Sequence, residues 1–218
     1  MLFLRPAPAK VEVLNDINGE LVNLYRIVKH HLDEFVRQFR WQLVAREEFE
    51  RLKVSAPETL TDIQRAARFF FLQKTSFGAK VSGQTFGVSA SGPPRINLLR
   101  LEEDLSAAHL RLARVTIEHL PWAACVARYD RPEAFFFCDP PYWQTEGYGV
   151  EFGLDQYEAL AQMLRTIKGR ALLTINDHPD MRKVFAGFRQ RRLTTRYTIG
   201  QSAAAKQAPR HELAVMTW

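Results

Sequence analysis

Apolar residues recur at two different spacings along this chain, and the switch between them sets the expected fold. Val11-Glu12-Val13-Leu14 alternates with period two and reads as a short strand. The turn-forming run Asn15-Asp16-Ile17-Asn18-Gly19 follows, and then Leu21, Leu24, Tyr25, Val28 and Leu32 recur at helical spacing. Further helix is predicted at 47–52 and at 61–74, where Ile63, Ala66, Ala67, Phe70 and Phe71 keep one face apolar. Between 75 and 92 the pattern dissolves into Gly78, Gly83, Gly87, Gly92 and several Ser and Thr, which predicts a loop or irregular hairpin.

From residue 102 onward helix and strand alternate. The spacing predicts helix 102–113, strand 115–118, helix 121–129, buried strand 134–138, helix 154–167, strand 171–175 and helix 179–185. Asp155 and Glu158 have capping-box spacing at the start of the 154–167 helix. Two strands, 193–199 and 212–218, close the chain with no helix between them. Such alternation means an α/β fold with a largely parallel, helix-covered sheet, and the closing pair predicts an antiparallel hairpin at its edge. The stretch 61–99 interrupts the alternation and is predicted as an inserted, mainly helical subdomain, leaving 1–60 and 100–218 as the main domain.

With 218 residues, 46% of them apolar and 25% charged, the chain matches one globular domain with a small insertion, which excludes intrinsic disorder and a disulfide-framed miniprotein. Its longest apolar runs, such as Ala134-Phe135-Phe136-Phe137-Cys138, are far short of the roughly 20 residues that cross a bilayer, so no membrane partner is expected. Met1-Leu2-Phe3-Leu4-Arg5-Pro6 does not read as a secretory signal. Two cysteines, Cys125 and Cys138, form neither a disulfide framework nor a zinc spacing, and a cytoplasmic location is expected. The six His are scattered without ligand spacing, so no metal is expected.

Charge changes the picture once it is mapped. Residues 63–100 hold six basic and no acidic side chains, and residues 182–210 hold eight basic and again no acidic ones. The rest of the chain is therefore net negative, so two cationic stretches stand on an acidic body. That distribution suits either a polyanion such as nucleic acid or solvated helix faces with acidic neighbours in space.

The most specific motif is Asp139-Pro140-Pro141-Tyr142, directly after the predicted 134–138 strand. Ligands of open α/β sheets bind beyond the carboxyl ends of the strands, which is where this tetrapeptide falls. Consecutive prolines lock two φ angles and restrict the residue before each, so the Asp139 carboxylate and the adjacent carbonyls are held at fixed angles. A Pro-rich turn ending a strand is the plainer reading of the same residues.

In these residues the chain resembles the Dam-type, phage-borne N6-adenine DNA methyltransferases. The likeness runs through Glu12-Val13-Leu14-Asn15-Asp16-Ile17-Asn18, Phe69-Phe70-Phe71-Leu72 to Phe77-Gly78, Asp139-Pro140-Pro141-Tyr142, Thr174-Ile175-Asn176-Asp177-His178 and Glu212-Leu213-Ala214-Val215, in the family's order. It implies a Rossmann-like S-adenosylmethionine-dependent fold and methyl transfer to the exocyclic amine of adenine in duplex DNA. By resemblance, Asp139 and the Pro140 carbonyl accept the two amine hydrogens, Pro141 fixes the corner, and Tyr142 stacks on a base flipped out of the duplex. Asp139 is also counted among the cofactor contacts, with Asp16, Ile17, Glu118 and His119.

Several of these residues have alternative readings. Asp16 either accepts ribose hydroxyls or is a turn and capping residue beside Asn18 and Gly19. Glu118 and His119 either line the adenine end of the cofactor pocket or lie on plain surface. Asn176 and Asp177 either frame a pocket floor or cap the helix after Pro179. For DNA, Lys74, Lys80 and Arg95 are candidate phosphate or guanine contacts, Phe77 or Phe86 candidate wedges, and Arg189, Arg191, Arg192 and Arg196 candidate backbone contacts. The segment lacks the longer Asn- and Arg-containing loop of relatives that methylate GATC.

One departure stands out. The family's usual layout places a Lys- and Gly-containing segment, a strand and a Gly-rich cofactor loop before the strand matching 11–14, a difference of roughly 40 to 50 residues. Met1-Leu2-Phe3-Leu4 resembles the helix after that loop. The expectation is an exposed sheet edge, an incomplete cofactor cleft and weak cofactor binding by this polypeptide. Two other classes therefore stand beside the DNA methyltransferase: a catalytically silent DNA-binding module, and a methyltransferase acting on protein glutamine or RNA.

Overall fold

The computed structural model describes residues 8–79, 81–87, 96–145, 149–195 and 210–218. The chain divides into two compact units, Met1–Trp122 and Ala123–Trp218.

In the first unit β1 (Glu12–Asn15) pairs in parallel with β2 (Val115–Glu118), with Glu12 opposite Val115 and Asn15 opposite Glu118. Parallel neighbours need a long crossover. Here it consists of α1 (Gly19–His30), α2 (Leu32–Arg37), α3 (Arg46–Val54), α4 (Asp62–Thr75) and α5 (Leu101–Leu112). Asn18 starts α1: its side chain accepts hydrogen bonds from the Glu20 and Leu21 amides at 3.0 and 3.2 Å. The predicted 21–32 helix is interrupted at His31, whose φ of −138° ends α1 and starts α2. Leu32 still packs against the same core, so the apolar spacing runs through a break it cannot reveal.

Helices α1 to α5 share one core. Phe35, Phe39 and Phe70 meet in tilted and edge-on pairs with ring centroids 5.2–5.7 Å apart, while Phe49 and Phe71 are fully buried. Each such ring contributes about 1.5–3 kcal/mol on burial. The 61–99 stretch thus places α4 in the same core as α1. Buried Asn23 of α1 donates to the Asp62 carbonyl at 2.8 Å, and Arg65 pairs with Glu20. A capping box does occur in the chain, but at Thr61 and Gln64, where α4 begins. The expected one at Asp155 and Glu158 does not form. The helix α7 (Leu154–Leu164) is capped by Gly153, and Asp155 already lies inside it.

The second unit carries α6 (Trp122–Tyr129, all but its first residue), α7, α8 (Pro179–Val184) and a four-stranded sheet in the order β3-β4-β6-β5. Strands β3 (Phe135–Cys138) and β4 (Arg170–Asn176) are parallel, and β6 (Arg210–Met216) runs antiparallel to both β4 and β5 (Arg189–Thr195). Ala171, Leu173 and Ile175 of β4 share a fully buried face with Leu213 and Val215 of β6. Gly169 lets β4 start beside the preceding loop: a Cβ there would sit 2.6 Å from the Ala134 carbonyl oxygen.

Two sequence expectations change here. The strands form two separately hydrogen-bonded sheets among the described residues, in place of one. The 134–138 strand is not buried: Phe135 and Phe137, which share one face of β3, are 48% and 40% exposed. Among those residues no helix is long and apolar enough to cross a membrane.

Candidate active site

At the carboxyl end of β3 the chain turns at Asp139, and three side chains fix the corner. The Thr174 hydroxyl of β4 donates to Asp139 Oδ1 at 2.7 Å. The hydroxyl of fully buried Tyr157 donates to the Pro141 carbonyl at 2.5 Å. Asn176, the last residue of β4, accepts from the Trp143 amide at 2.8 Å and donates to the Trp143 carbonyl at 3.0 Å, so one amide side chain holds both backbone polar atoms of that residue. The Trp143 ring stands edge-on to Tyr157, and its indole N–H donates to Asp180 at 3.2 Å.

The result is a rigid turn with its acceptors sorted. The Pro141 carbonyl is taken, whereas the Pro140 carbonyl accepts no hydrogen bond among the described residues. Desolvation pushes the Asp139 pKa above the ordinary carboxylate value; the Thr174 hydrogen bond opposes the shift and nearby Glu212 adds to it. Tyr142 is half-buried beside it. The preceding Cys138 thiol is pushed up to about 12 by burial, which leaves it protonated and inert at neutral pH.

The first unit builds a looser corner at the carboxyl ends of β1 and β2. Asn15, the last residue of β1, accepts from the Leu120 amide at 2.9 Å and donates to the Leu120 carbonyl at 3.0 Å. Asp16 Oδ1 accepts from the Asn18 amide at 2.8 Å, closing an Asx turn. No hydrogen bond reaches Asp16 Oδ2 among the described residues. The Ile17 side chain is 51% exposed, and its carbonyl lies 3.1 Å from His119 Nε2. Asp16, Ile17, Glu118 and His119 therefore do gather at one end of the β1–β2 pair.

The cationic candidates divide. Lys74 is exposed near the end of α4, its ammonium 5.5 Å from the Phe70 ring centroid. Phe77 is half-buried, and its amide donates to the Thr85 carbonyl at 2.7 Å in an irregular hairpin closed by a Ser76–Phe86 bridge. Phe86 packs 5.5 Å from Phe49, with Arg46 over its ring, so it is part of the helical core. Lys80, Arg95 and Arg196 lie outside the described residues.

On β5, side chains alternate between faces. Arg189 and Arg191 share one exposed face; Arg192 lies on the other, 3.1 Å from Asp177. Asp177 also binds Arg182, and those guanidinium groups hold its pKa below the usual range. Neither Asp177 nor Asn176 caps α8: the cap is His178, whose Nδ1 accepts from the Asp180 amide at 3.2 Å. Sequence reasoning did not single out Tyr157, Trp143 or the role of Thr174. Trp143 directly follows the motif, whereas Tyr157 and Thr174 meet it across 16 and 35 residues of chain, which no local pattern reveals.

A type II methyltransferase of Paramecium bursaria Chlorella virus NC1A is 24% identical over 182 residues, covering 81% of this chain and 69% of that protein. A DNA N-6-adenine-methyltransferase of Escherichia phage P1 is 25% identical over 208 residues, covering 86% of this chain and 27% of that longer protein. The family model of D12 class N6 adenine-specific DNA methyltransferases matches residues 3–199, so the chain belongs to that family.

Proposed function

We propose that the chain methylates the N6 amine of adenine in duplex DNA, using S-adenosylmethionine, with Asp139 and the Pro140 carbonyl as the acceptors that activate the amine. The observation that carries this is the sorting of acceptors at the second corner: Asp139 fixed by Thr174, the Pro141 carbonyl occupied by Tyr157, and the Pro140 carbonyl open. An exocyclic amine has its lone pair delocalised into the purine. Two rigid acceptors that bind its hydrogens favour a pyramidal nitrogen, and they cost no reorganisation at the moment of reaction.

The donor set of the first corner suits the cofactor. Asp16 Oδ2 accepts no hydrogen bond among the described residues, and Ile17 offers an apolar face beside it, which are the groups a ribose diol and an adenine ring require. His119 and Glu118 stand at the same strand ends. The cofactor supplies an electrophilic methyl on a sulfonium sulfur. The chain orients the acceptor nitrogen through Asp139 and the Pro140 carbonyl and excludes water through the packed Tyr142, Trp143 and Tyr157. A flipped base costs a few kcal/mol of unstacking, which stacking on Tyr142 offsets in part.

The parallel pairs β1–β2 and β3–β4, with antiparallel β6 beside β4, support a Rossmann-like methyltransferase fold whose strands are divided between two sheets among the described residues. Arg189 and Arg191, exposed on one face of β5, and Lys74 are the described residues that would contact phosphate, and the protein would act in the cytoplasm. The test is long-read detection of modified adenine in DNA from cells expressing the chain or its Asp139→Ala variant. Methylation is expected with the former and absent with the latter; equal methylation by both overturns the assignment.

A further inference from the structure

Two neighbouring cavities of the first unit run along α1. One, of about 400 Å³, is lined by Arg26, Lys29 and His30 of α1, by Arg114 in the turn before β2, and by residues 115–117. The other, of about 340 Å³, shares Arg26 and Ile117 and extends to Gly19, Asn23 and His119. Three consecutive β2 residues line the first cavity, which alternating side chains allow only along a strand edge. That edge is unpaired among the described residues, because β2 pairs only with β1.

The charge in this trough is not balanced. Arg65 and Arg111 of the same unit bind Glu20 and Glu12. Arg26, Lys29, His30 and Arg114 have no carboxylate partner among the described residues, although Arg26, His30 and Arg114 are exposed. Lys29 donates to the Val115 carbonyl at 2.8 Å, which anchors its ammonium at the cavity wall and leaves two of its three hydrogens for a ligand. Basic residues in a last helical turn complement the carbonyl end of the helix. That explains Lys29 and His30, but not Arg26 one turn earlier or Arg114 on another segment.

We infer that this pocket binds a phosphate group, held by Arg26, Lys29 and Arg114 with His30 at its rim. The phosphate comes from a DNA backbone or from a free phosphate ester. Lys29 and Arg114 stand at the amino end of β2, and Asp16, Glu118 and His119 at the carboxyl ends of β1 and β2, the second cavity, which shares Arg26 and Ile117, extending between them. A backbone phosphate bound here enlarges the DNA footprint, and that arm rests on the proposed DNA methylation. The free-ester arm does not.

The experiment compares the full chain with its Arg26→Gln/Arg114→Gln variant, both exposed positions whose loss leaves the core intact, with circular dichroism checking the fold. Duplex affinity is measured against salt, and inorganic pyrophosphate is titrated by calorimetry. If DNA supplies the phosphate, the variant binds duplexes of any sequence about tenfold more weakly at 0.1 M salt, and its log–log salt slope is flatter by about one to two. If a free ester supplies it, the slopes coincide and the variant loses at least about tenfold in pyrophosphate affinity. Coincident slopes together with no pyrophosphate binding by the unmodified chain overturn the inference. Absence of duplex binding by the unmodified chain, with pyrophosphate bound, overturns the DNA reading and leaves the pocket standing.

Discussion

The two strand-end corners use the same fastening and differ in everything around it. In each, the asparagine that ends a strand pairs both amide atoms with the backbone of one residue in the neighbouring loop: Asn15 with Leu120, Asn176 with Trp143. Beyond the clamp, the first corner is an Asx turn with an exposed isoleucine and one carboxylate oxygen unbonded among the described residues. The second is a diproline held by Thr174 and Tyr157, with a carboxyl whose pKa burial has raised. A site that only binds tolerates play, whereas one that aligns a reacting nitrogen loses rate with small displacements.

Exchanging the clamps for alanine tests that contrast most strongly. Asn176→Ala is expected to cost about 2–3 kcal/mol of stability, because it strands two polar backbone atoms. It should also lower kcat at least about tenfold with little change in KM. Asn15→Ala is expected to cost a similar stability but to raise the KM for S-adenosylmethionine while kcat holds. Steady-state methylation kinetics and denaturant midpoints read both. Equal kinetic signatures would erase the distinction between the corners.

Tyr157→Phe comes next. It keeps the buried ring and removes the hydroxyl that donates to the Pro141 carbonyl, so about 1 kcal/mol of stability and a several-fold loss in kcat are expected. Retention of full kcat would show that the prolines alone keep the turn rigid.

The smallest effect concerns pH. The Asp139 pKa is raised in the folded protein, so the unfolded chain gives up this proton first as pH rises. Stability is therefore lost between the unfolded and folded pKa values, and the penalty persists at all higher pH. Asp139→Asn removes that penalty and is expected to raise the denaturation midpoint slightly at pH 7 and not at pH 3, while methylation falls. A drop in the pH 7 midpoint would mean that the ionised carboxylate stabilises the corner.

Much of this was legible in the sequence, for identifiable reasons. Strands β2 and β3 fall within one residue of the periodic pattern, and the Asp139 motif sits at a strand end as its prolines require. The pattern failed where partners are distant or charge masks the period. Strand β5 starts at Arg189, four residues before the predicted 193, because Arg189-Gln190-Arg191-Arg192 shows no apolar alternation and its extension comes from pairing with β6. Phe86, a candidate wedge by its loop position, is drawn against Phe49 by packing that no local window contains. The exposed faces of Phe135 and Phe137 were hidden by composition, since an all-apolar strand reads as buried whether or not a neighbour covers it.

The most direct measurement is the single-turnover methylation rate at saturating duplex and S-adenosylmethionine for the unmodified chain, Asp139→Asn and Asp139→Ala. The rates should fall in that order, with Asn keeping one acceptor oxygen and Ala losing at least about 100-fold, while duplex affinity changes little. Equal rates for the three proteins would contradict the role assigned to Asp139.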